Sequence, residues 1–435
     1  MKSMWCAALT AGLALVAAVR ADAAADAVAA AAAKAAADST AVVSQEWQAL
    51  IEPMMSMGGR AAPLLADPKD PLQRQELYQQ LFKTMSMAYM AMFVGDPGHP
   101  DFWPLFNQAY SIGSANPDDT YYLAPLDGNG VYRISGYRGT VRLVDFQLGS
   151  GQFYPRGQGG MMPTLANYDI DDLHLGKDGW FEVVLSAERP AGYRGDWWKM
   201  DAKATYVMVR QIAYDWLREV DGRFGIDRLD RPAVKSRPTA EEIAANLRQI
   251  AVAADTWTRL PTGRLLSYIP DGLINKVVVR DLSAQGGFTS KQYYVEGLID
   301  VQDDEALIYE TDVPKQCRYW NLVTNDNLWN TVDYTNRQSS LNGFTARLDK
   351  DGRFRAVVSA RDPGVPNWLD TAGYARGSLF GRWLQCSSTP TPTITKVKLV
   401  DLRRALPADT PTVTPEQRDA TLRQRRLGVQ LRRRW

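Results

Sequence analysis

Two long stretches of this 435-residue chain alternate apolar and polar residues with a period of two, and this pattern constrains the fold more than any other feature. Such alternation is typical of β-strands that bury one face. The stretches cover residues 105–230 and 276–405, with short glycine- and aspartate-rich turns between the strands. In the second, Asp349-Lys350-Asp351-Gly352 indicates a hairpin between strands at 343–348 and 354–359. Many short strands joined by tight turns predict two antiparallel β-sandwich-like domains.

Helical patterns lie before, between and after the two β-rich stretches. Asp70 followed by Pro71 is a helix start, and leucines and methionines then recur at helical spacing. Residues 207–220 have an amphipathic pattern that predicts a helix. Thr239-Ala240-Glu241-Glu242 is a capping box, and we expect its helix to end at Pro261. We recognise no repeat of fixed period in the sequence.

The predicted fold class is α+β, dominated by β-structure, with a helical N-terminal region followed by two antiparallel β-sandwich-like domains separated by helices. The predicted segments are a signal peptide (1–23), an alanine-rich leader and helical region (24–104), a first β-sandwich-like domain with a C-terminal helix (105–230), a helical linker (231–275), a second β-sandwich-like domain (276–405), and a Pro/Thr linker with an arginine-rich tail helix (406–435). Seven arginines lie between Arg418 and Arg434, and we expect a solvated surface there.

The first residues have the pattern of an export signal. Lys2 supplies a positive start, residues 4–19 form an apolar run, and Ala21-Asp22-Ala23 fits the small-x-small cleavage pattern. The apolar run is shorter than the ~20 residues that a membrane-spanning helix needs. We therefore predict a periplasmic or secreted protein whose mature chain starts near Ala24 and has no transmembrane segment.

Charge and histidine content exclude several classes of partner. Without residues 1–23, which hold Lys2, Arg20 and Asp22, the 50 basic and 49 acidic residues become 48 of each. A balanced surface does not favour nucleic acid or an anionic membrane as the main partner. The chain has only two histidines, so a histidine-rich metal site is excluded and the sequence indicates no cofactor.

Cleavage of the signal peptide would also remove Cys6 and leave Cys317 and Cys386. Two cysteines in an oxidising compartment predict one disulfide, and a pair of free buried thiols is the alternative.

Two motifs carry a resemblance to bacterial families known only as domains of unknown function. Asn116-Pro117-Asp118-Asp119-Thr120-Tyr121 resembles the signature of the 1254-type family. The segment 328–381, with Asn336 to Gly343 and Arg361 to Asp370, resembles the 1214-type family, although Tyr374 stands where members often have histidine. The resemblance implies paired β-sandwich-like domains in an exported protein and brings no established reaction.

Two polar loops flank the predicted hairpin, and their side chains can bind a ligand. As catalytic residues we predict Asp362, Asp370 and Arg361, because a proline-stiffened loop can hold two carboxylates at a fixed separation for acid and base chemistry. Large rings in polar loops are less easily buried and can stack on a ligand. The predicted substrate-binding residues are the neighbouring polar and aromatic side chains: Asn336, Arg337, Gln338, Trp329, Asn367, Trp368, Tyr374, Asn116, Asp118 and Tyr121.

Each of these assignments has a structural alternative. Asp362 and Asp370 are also typical turn and cap residues. Arg337 and Arg361 either clamp an anionic ligand or pair with these aspartates. The motif at Asn116 fits an Asx-turn, a ligand contact or a calcium site.

Three functional hypotheses from different classes follow. The first is an exported enzyme or binding protein for a small-molecule or glycan ligand, with a slight preference for a carbohydrate hydrolase or lyase that uses Asp, Tyr and Arg chemistry. The second is an enzyme that acts on a hydrophobic small molecule, such as a steroid-like, terpenoid or aromatic compound. The third is a non-catalytic envelope interaction protein. A deep apolar pocket under Trp368 would favour the second hypothesis, a long shallow aromatic groove the first, and no cleft at all the third.

Overall fold

The computed structural model describes residues 2–107, 111–151, 164–283, 289 and 291–432. The chain divides into two compact units, residues 1–57 and residues 58–435. In the first unit, helix α1 (Lys2–Met55) runs through the alanine-rich leader and confirms its predicted helical character. None of the described helices combines the length and the apolar character that a membrane crossing requires. The sequence also predicts a glycine-rich loop over residues 149–160, and most of it, residues 152–160, lies outside the described residues.

The remaining helices are α2 (Met57–Ala61), α3 (Pro71–Tyr89), α4 (Ala240–Leu266), α5 (Leu402–Ala405) and α6 (Pro415–Leu431). The predicted starts of α3 and α4 are confirmed, because Asp70 accepts a hydrogen bond from the Leu72 amide and Thr239 forms a capping box with Glu242. The prediction that Pro261 ends α4 is wrong. The helix continues to Leu266 because its last turn packs into the protein, where Leu265 is buried.

Among the described residues, eighteen strands form two sandwiches between residues 103 and 398. The first sandwich contains β1 (Trp103–Pro104), β2 (Asp119–Pro125), β3 (Tyr132–Tyr137), β4 (Leu143–Gly149), β5 (Ala166–Asp169), β6 (Trp180–Ser186), β7 (Asp196–Lys199), β8 (Tyr206–Ile212) and β9 (Arg223–Arg228). The second contains β10 (Val278–Asp281), β11 (Gln292–Asp300), β12 (Glu305–Thr311), β13 (Cys317–Asn325), β14 (Ser340–Asn342), β15 (Phe354–Ser359), β16 (Trp368–Asp370), β17 (Arg376–Cys386) and β18 (Thr393–Lys398).

The predicted fold class is confirmed: a helical N-terminal region precedes four mostly antiparallel sheets. The first sandwich pairs a sheet of order β1-β2-β8-β4-β5 with one of order β7-β6-β3-β9, and the second pairs β10-β11-β17-β13-β14 with β16-β15-β12-β18. Adding nine to every strand number of the first sandwich gives the strand order of the second. Each also has one parallel pair at the same place, β6 with β7 and β15 with β16. The two sandwiches are therefore a structural repeat.

Two secondary-structure predictions are wrong. Residues 206–212 form β8, a central strand buried along its whole length, and not the start of a helix over 207–220. A strand buried on both faces is apolar throughout and mimics a helical stripe. Residues 343–348 do not form the predicted hairpin strand, because the Asn342 side chain accepts hydrogen bonds from the amides of Phe344 and Thr345 and turns the chain.

The five-stranded sheets of the two sandwiches face each other. Their inward side chains fill two separate cores, and alternate residues on β4, β8, β13 and β17 point outward instead. At the contact, Leu143 and Ile212 of the first sandwich pack with Tyr319 and Leu384 of the second. The register gives these residues equivalent positions, since Leu143 pairs with Ile212 and Tyr319 with Leu384. Equivalent patches of the two repeats thus meet.

The expectation of a solvated arginine-rich tail is wrong for two of its residues, since Arg418 and Arg432 are buried. Arg418 donates to the Asp362 carboxylate and to the carbonyl oxygen of Val365 in the second sandwich. Arg432 donates to the carbonyl oxygens of Asp118 and Gln211 in the first. Helix α6 therefore joins both sandwiches.

Candidate functional site

The two predicted site loops meet at one end of the second sandwich. Arg337 Nη1 lies 2.9 Å from Asp370 Oδ2, and the Gln338 side chain donates to the carbonyl oxygen of Trp368 at 2.6 Å. Asp370 is buried, and its other carboxylate oxygen accepts from the Ala372 amide. These contacts favour the structural alternative for Arg337, Gln338 and Asp370.

Asp362 also has structural partners. Its carboxylate accepts from the Gly364 amide at 2.9 Å and from Arg418 Nε at 2.8 Å. Arg361 is exposed, and its nearest carboxylate, that of Asp303, is 3.8 Å away. The structure therefore does not bring the three predicted catalytic side chains into one cleft with free functional groups, and their catalytic role stays a prediction.

The remaining loop residues differ in their exposure to solvent. Asn336 is exposed and bonds to Asp333, whereas Asn367 is buried and bonds to the carbonyl oxygens of Arg347 and Arg355. The expectation that the two loop tryptophans are hard to bury is wrong, since Trp329 and Trp368 are 3% and 7% exposed. Trp368 can be buried because its indole N–H donates to the Ser359 carbonyl oxygen.

Tyr374 lines one pocket together with Asn336. Its hydroxyl donates to Glu76 Oε1 at 2.7 Å. Burial raises the pKa of Glu76, and burial together with this hydrogen bond raises the pKa of Tyr374.

The motif at Asn116 forms the predicted Asx-turn, with the Asp118 amide donating to Asn116 Oδ1 at 3.1 Å. Asp118 is buried and accepts hydrogen bonds from Trp216, Tyr319 and Asn342. Because Tyr319 and Asn342 belong to the second sandwich, this carboxylate helps to hold the two sandwiches together.

A cavity of about 110 Å³ lies between the facing sheets and beneath helix α4. Engineered cavities of about 150 Å³ hold benzene, so the scale is that of a single ring or a short branched chain. Its walls are mainly apolar and aromatic, and among the described residues they include Phe106, Ile112, Tyr121, Met208, Ile212, Trp257, Leu260, Tyr294, Trp329 and Phe380. Three predicted site residues, Asn116, Tyr121 and Trp329, line this cavity.

Both sandwiches contribute the same pair of polar residues to the cavity. On β2 and β8, Tyr121 lies opposite Arg210, and on β11 and β17, Tyr294 lies opposite Arg382. Each tyrosine oxygen accepts a hydrogen bond from the amide five residues earlier, that of Asn116 or Thr289. Burial raises the pKa of both tyrosines, which keeps them neutral.

Asp119 is the cavity carboxylate with the most altered acidity. Burial raises its pKa to about 7, although the positive charges of Arg210, Arg432 and Arg382 act in the opposite direction. It is therefore partly protonated at neutral pH. Arg264, on the helix side, is compensated by Glu296 at 2.8 Å.

Three donors that face the cavity have no acceptor among the residues that the structure describes: Ser114 Oγ, Trp329 Nε1 and Arg382 Nη1. Ser114 connects the other two, because its carbonyl oxygen accepts from Arg382 Nη2 at 2.7 Å and its amide donates to the Trp329 carbonyl oxygen at 2.7 Å. Trp329 has a left-handed backbone with φ of 65°, a strained conformation that tends to occur at functional sites. A buried donor without an acceptor in the chain can be satisfied by a water molecule, an ion or a ligand.

Sequence reasoning missed Arg210 and Arg382 as site residues, and it considered Asp119 only as a part of the motif at Asn116. They lie on strands and not in polar loops, and the residues that meet are far apart in the chain. One signal was available. Tyr294 lies 173 positions after Tyr121, and Ser359-Ala360-Arg361-Asp362-Pro363 lies 173 positions after Ser186-Ala187-Glu188-Arg189-Pro190.

Comparison with known proteins gives relatives without an assigned activity. The model of the family described as "Protein of unknown function (DUF1214)" matches residues 300–385. An uncharacterised protein from Burkholderia cenocepacia has 28% identity and a TM-score of 0.76, with 82% of this chain and 98% of that chain covered. A protein from Vibrio parahaemolyticus has 13% identity and a TM-score of 0.42, with 74% and 99% covered.

No curated protein matches the chain. The chain is thus similar to the 1214-type family over residues 300–385, and to the Burkholderia protein over most of its length.

Proposed function

We propose that the protein binds a small organic molecule with an aromatic or branched apolar body in the cavity between the two sandwiches. The observation that supports this most is the cavity itself, whose accessible wall is mainly aromatic and aliphatic, with three arginines and Asp119 among its polar groups. This lining favours a hydrophobic small molecule over a carbohydrate. The volume of about 110 Å³ has room for a single ring and not for a glycan chain.

The test is direct binding of a single-ring probe. Benzyl alcohol should bind and raise the thermal midpoint, since a ligand that binds only the folded state stabilises it. Leu260→Trp should weaken this binding, because Leu260 lines the cavity and the larger ring would occupy it. Leu266→Trp is the matched control, since Leu266 has nearly the same exposure on the same helix, 37% against 36%, and is not a lining residue. Equal binding by both variants would contradict the proposal.

We also propose that the protein is exported and loses residues 1–23. The positive start, the apolar run and the small residues near Ala23 support this proposal. A disulfide between Cys317 and Cys386 is in keeping with it, because disulfides persist in oxidising compartments. Amino-terminal sequencing of the exported protein should start near Ala24, and an intact Met1 would contradict this proposal.

A further inference from the structure

The two sandwiches differ at a buried position that faces the shared arginine on the neighbouring strand. In the first, Asp145 on β4 lies opposite Arg210 on β8. In the second, Asn321 on β13 lies opposite Arg382 on β17, at the equivalent place. The repeat has therefore kept the arginine and replaced the carboxylate with an amide.

The exchange of aspartate for asparagine decides whether the arginine has a counterion. Arg210 Nη1 lies 3.4 Å from Asp145 Oδ2, and both side chains are 8% exposed, so the two buried charges compensate each other. Asn321 instead donates to Asn116 Oδ1 at 2.8 Å. Within the part of the chain that the structure describes, no carboxylate forms an ion pair with Arg382, and its Nη1 has no acceptor.

A buried guanidinium without a counterion is costly, because its desolvation penalty amounts to several kcal/mol. An anion in the adjacent cavity would remove this cost. The other two donors without acceptors, Trp329 Nε1 and Ser114 Oγ, lie at the same cavity and can complete the coordination of a planar carboxylate.

We propose that the cavity ligand is a monocarboxylate, and that its carboxylate acts as the counterion of Arg382, the role that Asp145 has for Arg210. This inference rests on the proposed small-molecule function and specifies its ligand class. One negative charge is sufficient, because the other two cavity arginines already have counterions in Asp145 and Glu296. Asp119 does not supply the missing charge in full near neutral pH.

The closing experiment compares two ligands of the same ring, benzoate and benzyl alcohol, by calorimetry near pH 6, where benzoate is ionised and Asp119 is mostly neutral. The wild-type protein should bind benzoate about tenfold or more tightly than benzyl alcohol, the scale of a hydrogen bond to a charged group. Asn321→Asp gives Arg382 an internal counterion, so the affinity for benzoate should fall by about tenfold or more. Affinity for benzyl alcohol should stay within about twofold.

Asn325→Asp is the matched control, because Asn325 is buried on the same strand but lies opposite Ser378. It should leave the preference for benzoate unchanged. If Asn321→Asp does not fold, Trp329→Phe and Arg382→Met provide the same test, since each removes one donor and should reduce the preference for benzoate.

The outcomes separate the two proposals. Equal affinity of the wild-type protein for benzoate and benzyl alcohol would overturn the monocarboxylate inference and leave the proposed function standing. So would an unchanged preference in Asn321→Asp. No binding of either probe by folded protein would overturn the proposed function itself.

Discussion

The two sandwiches share nine strands in one order, yet the same buried arginine position has a different electrostatic setting in each. The first sandwich supplies the counterion of its own arginine, because Asp145 forms an ion pair with Arg210. The second has Asn321 at that place and leaves Arg382 with one carbonyl acceptor. Equal topology therefore does not give equal chemistry, and we propose that the ligand binds where the two copies differ.

The loop between the parallel strands β6 and β7 and the loop between β15 and β16 also share one structure and differ in charge. Ser186 and Ser359 each donate to a carbonyl oxygen two residues later, and Trp197 and Trp368 are equivalent in register and bond back to these serines. Asp362 of the second loop corresponds to Arg189 of the first. A loop that occurs in both sandwiches with different charges is more simply a structural element than a catalytic one.

The largest expected effect is the difference in stability between a variant of Arg210 and a variant of Arg382. Arg210→Met should lower the free energy of unfolding by about 3–5 kcal/mol, because it leaves the buried carboxylate of Asp145 without its partner. Arg382→Met should change it by no more than about 1–2 kcal/mol, since it loses the hydrogen bond to Ser114 and the cation–π contact with Phe380 but no ion pair. Urea denaturation near pH 8, where Asp145 is ionised, measures both. Equal losses of unfolding free energy would contradict the proposed difference between the two arginines.

The disulfide gives the next effect, because only the second sandwich has one. Cys317 and Cys386 are bonded across β13 and β17, as predicted, and their bond closes a loop with a sequence separation of 69. The double change Cys317→Ser and Cys386→Ser should lower the free energy of unfolding by about 2–4 kcal/mol. Hydrogen exchange should accelerate first in β13 and β17. Faster exchange in the first sandwich alone would contradict this expectation.

The third difference between the sandwiches is at Asp119 on β2, where the equivalent residue on β11 is Gln292. Because burial raises the pKa of Asp119 to about 7, the folded state binds a proton that the unfolded state has already lost, and stability falls as pH rises from about 4 to about 7. Asp119→Asn makes the first sandwich resemble the second. Between about pH 5 and pH 7.5 the wild-type protein should lose about 2 kcal/mol more than this variant. Parallel pH profiles from urea denaturation would contradict the assigned pKa shift.

The smallest effects concern the two loop carboxylates. Asp362→Asn and Asp370→Asn should each cost about 1 kcal/mol, because each weakens a contact with an arginine, and ligand binding should be unchanged. Arg361→Ala should be neutral, since this side chain is exposed. Thermal midpoints and benzoate affinity test the series. Loss of binding at full stability would instead support the catalytic prediction.

Much of the fold was predictable because its signals are local. The capping box at Thr239, the N-cap at Asp70 and the alternation of the strands each depend on a few neighbouring residues. The errors arose where tertiary packing decides. Strand β8 was taken for a helix because it is apolar on both faces, and Arg418 and Arg432 find buried acceptors that sequence spacing does not reveal.

The candidate site was less predictable than the fold. Asn116, Tyr121 and Trp329 were identified and do line the cavity, but the polar loops around Asp362 are held by structural contacts. Arg210 and Arg382 could be recognised only by pairing residues about 170 positions apart. The offset of 173 that aligns Tyr121 with Tyr294 places Arg210 on Trp383, one position from Arg382.

Covalent connection of two equivalent sandwiches has a consequence for the cavity. In a dimer of identical subunits, every substitution appears on both sides of the symmetry axis, so a site on that axis must present the same groups twice. Here the patches around Leu143 and Tyr319 meet as they would in such a dimer, but each belongs to its own segment of one polypeptide. One copy can therefore have aspartate where the other has asparagine. The site thereby gains distinguishable ends, and a ligand with a charged head and an apolar body can bind in a single orientation.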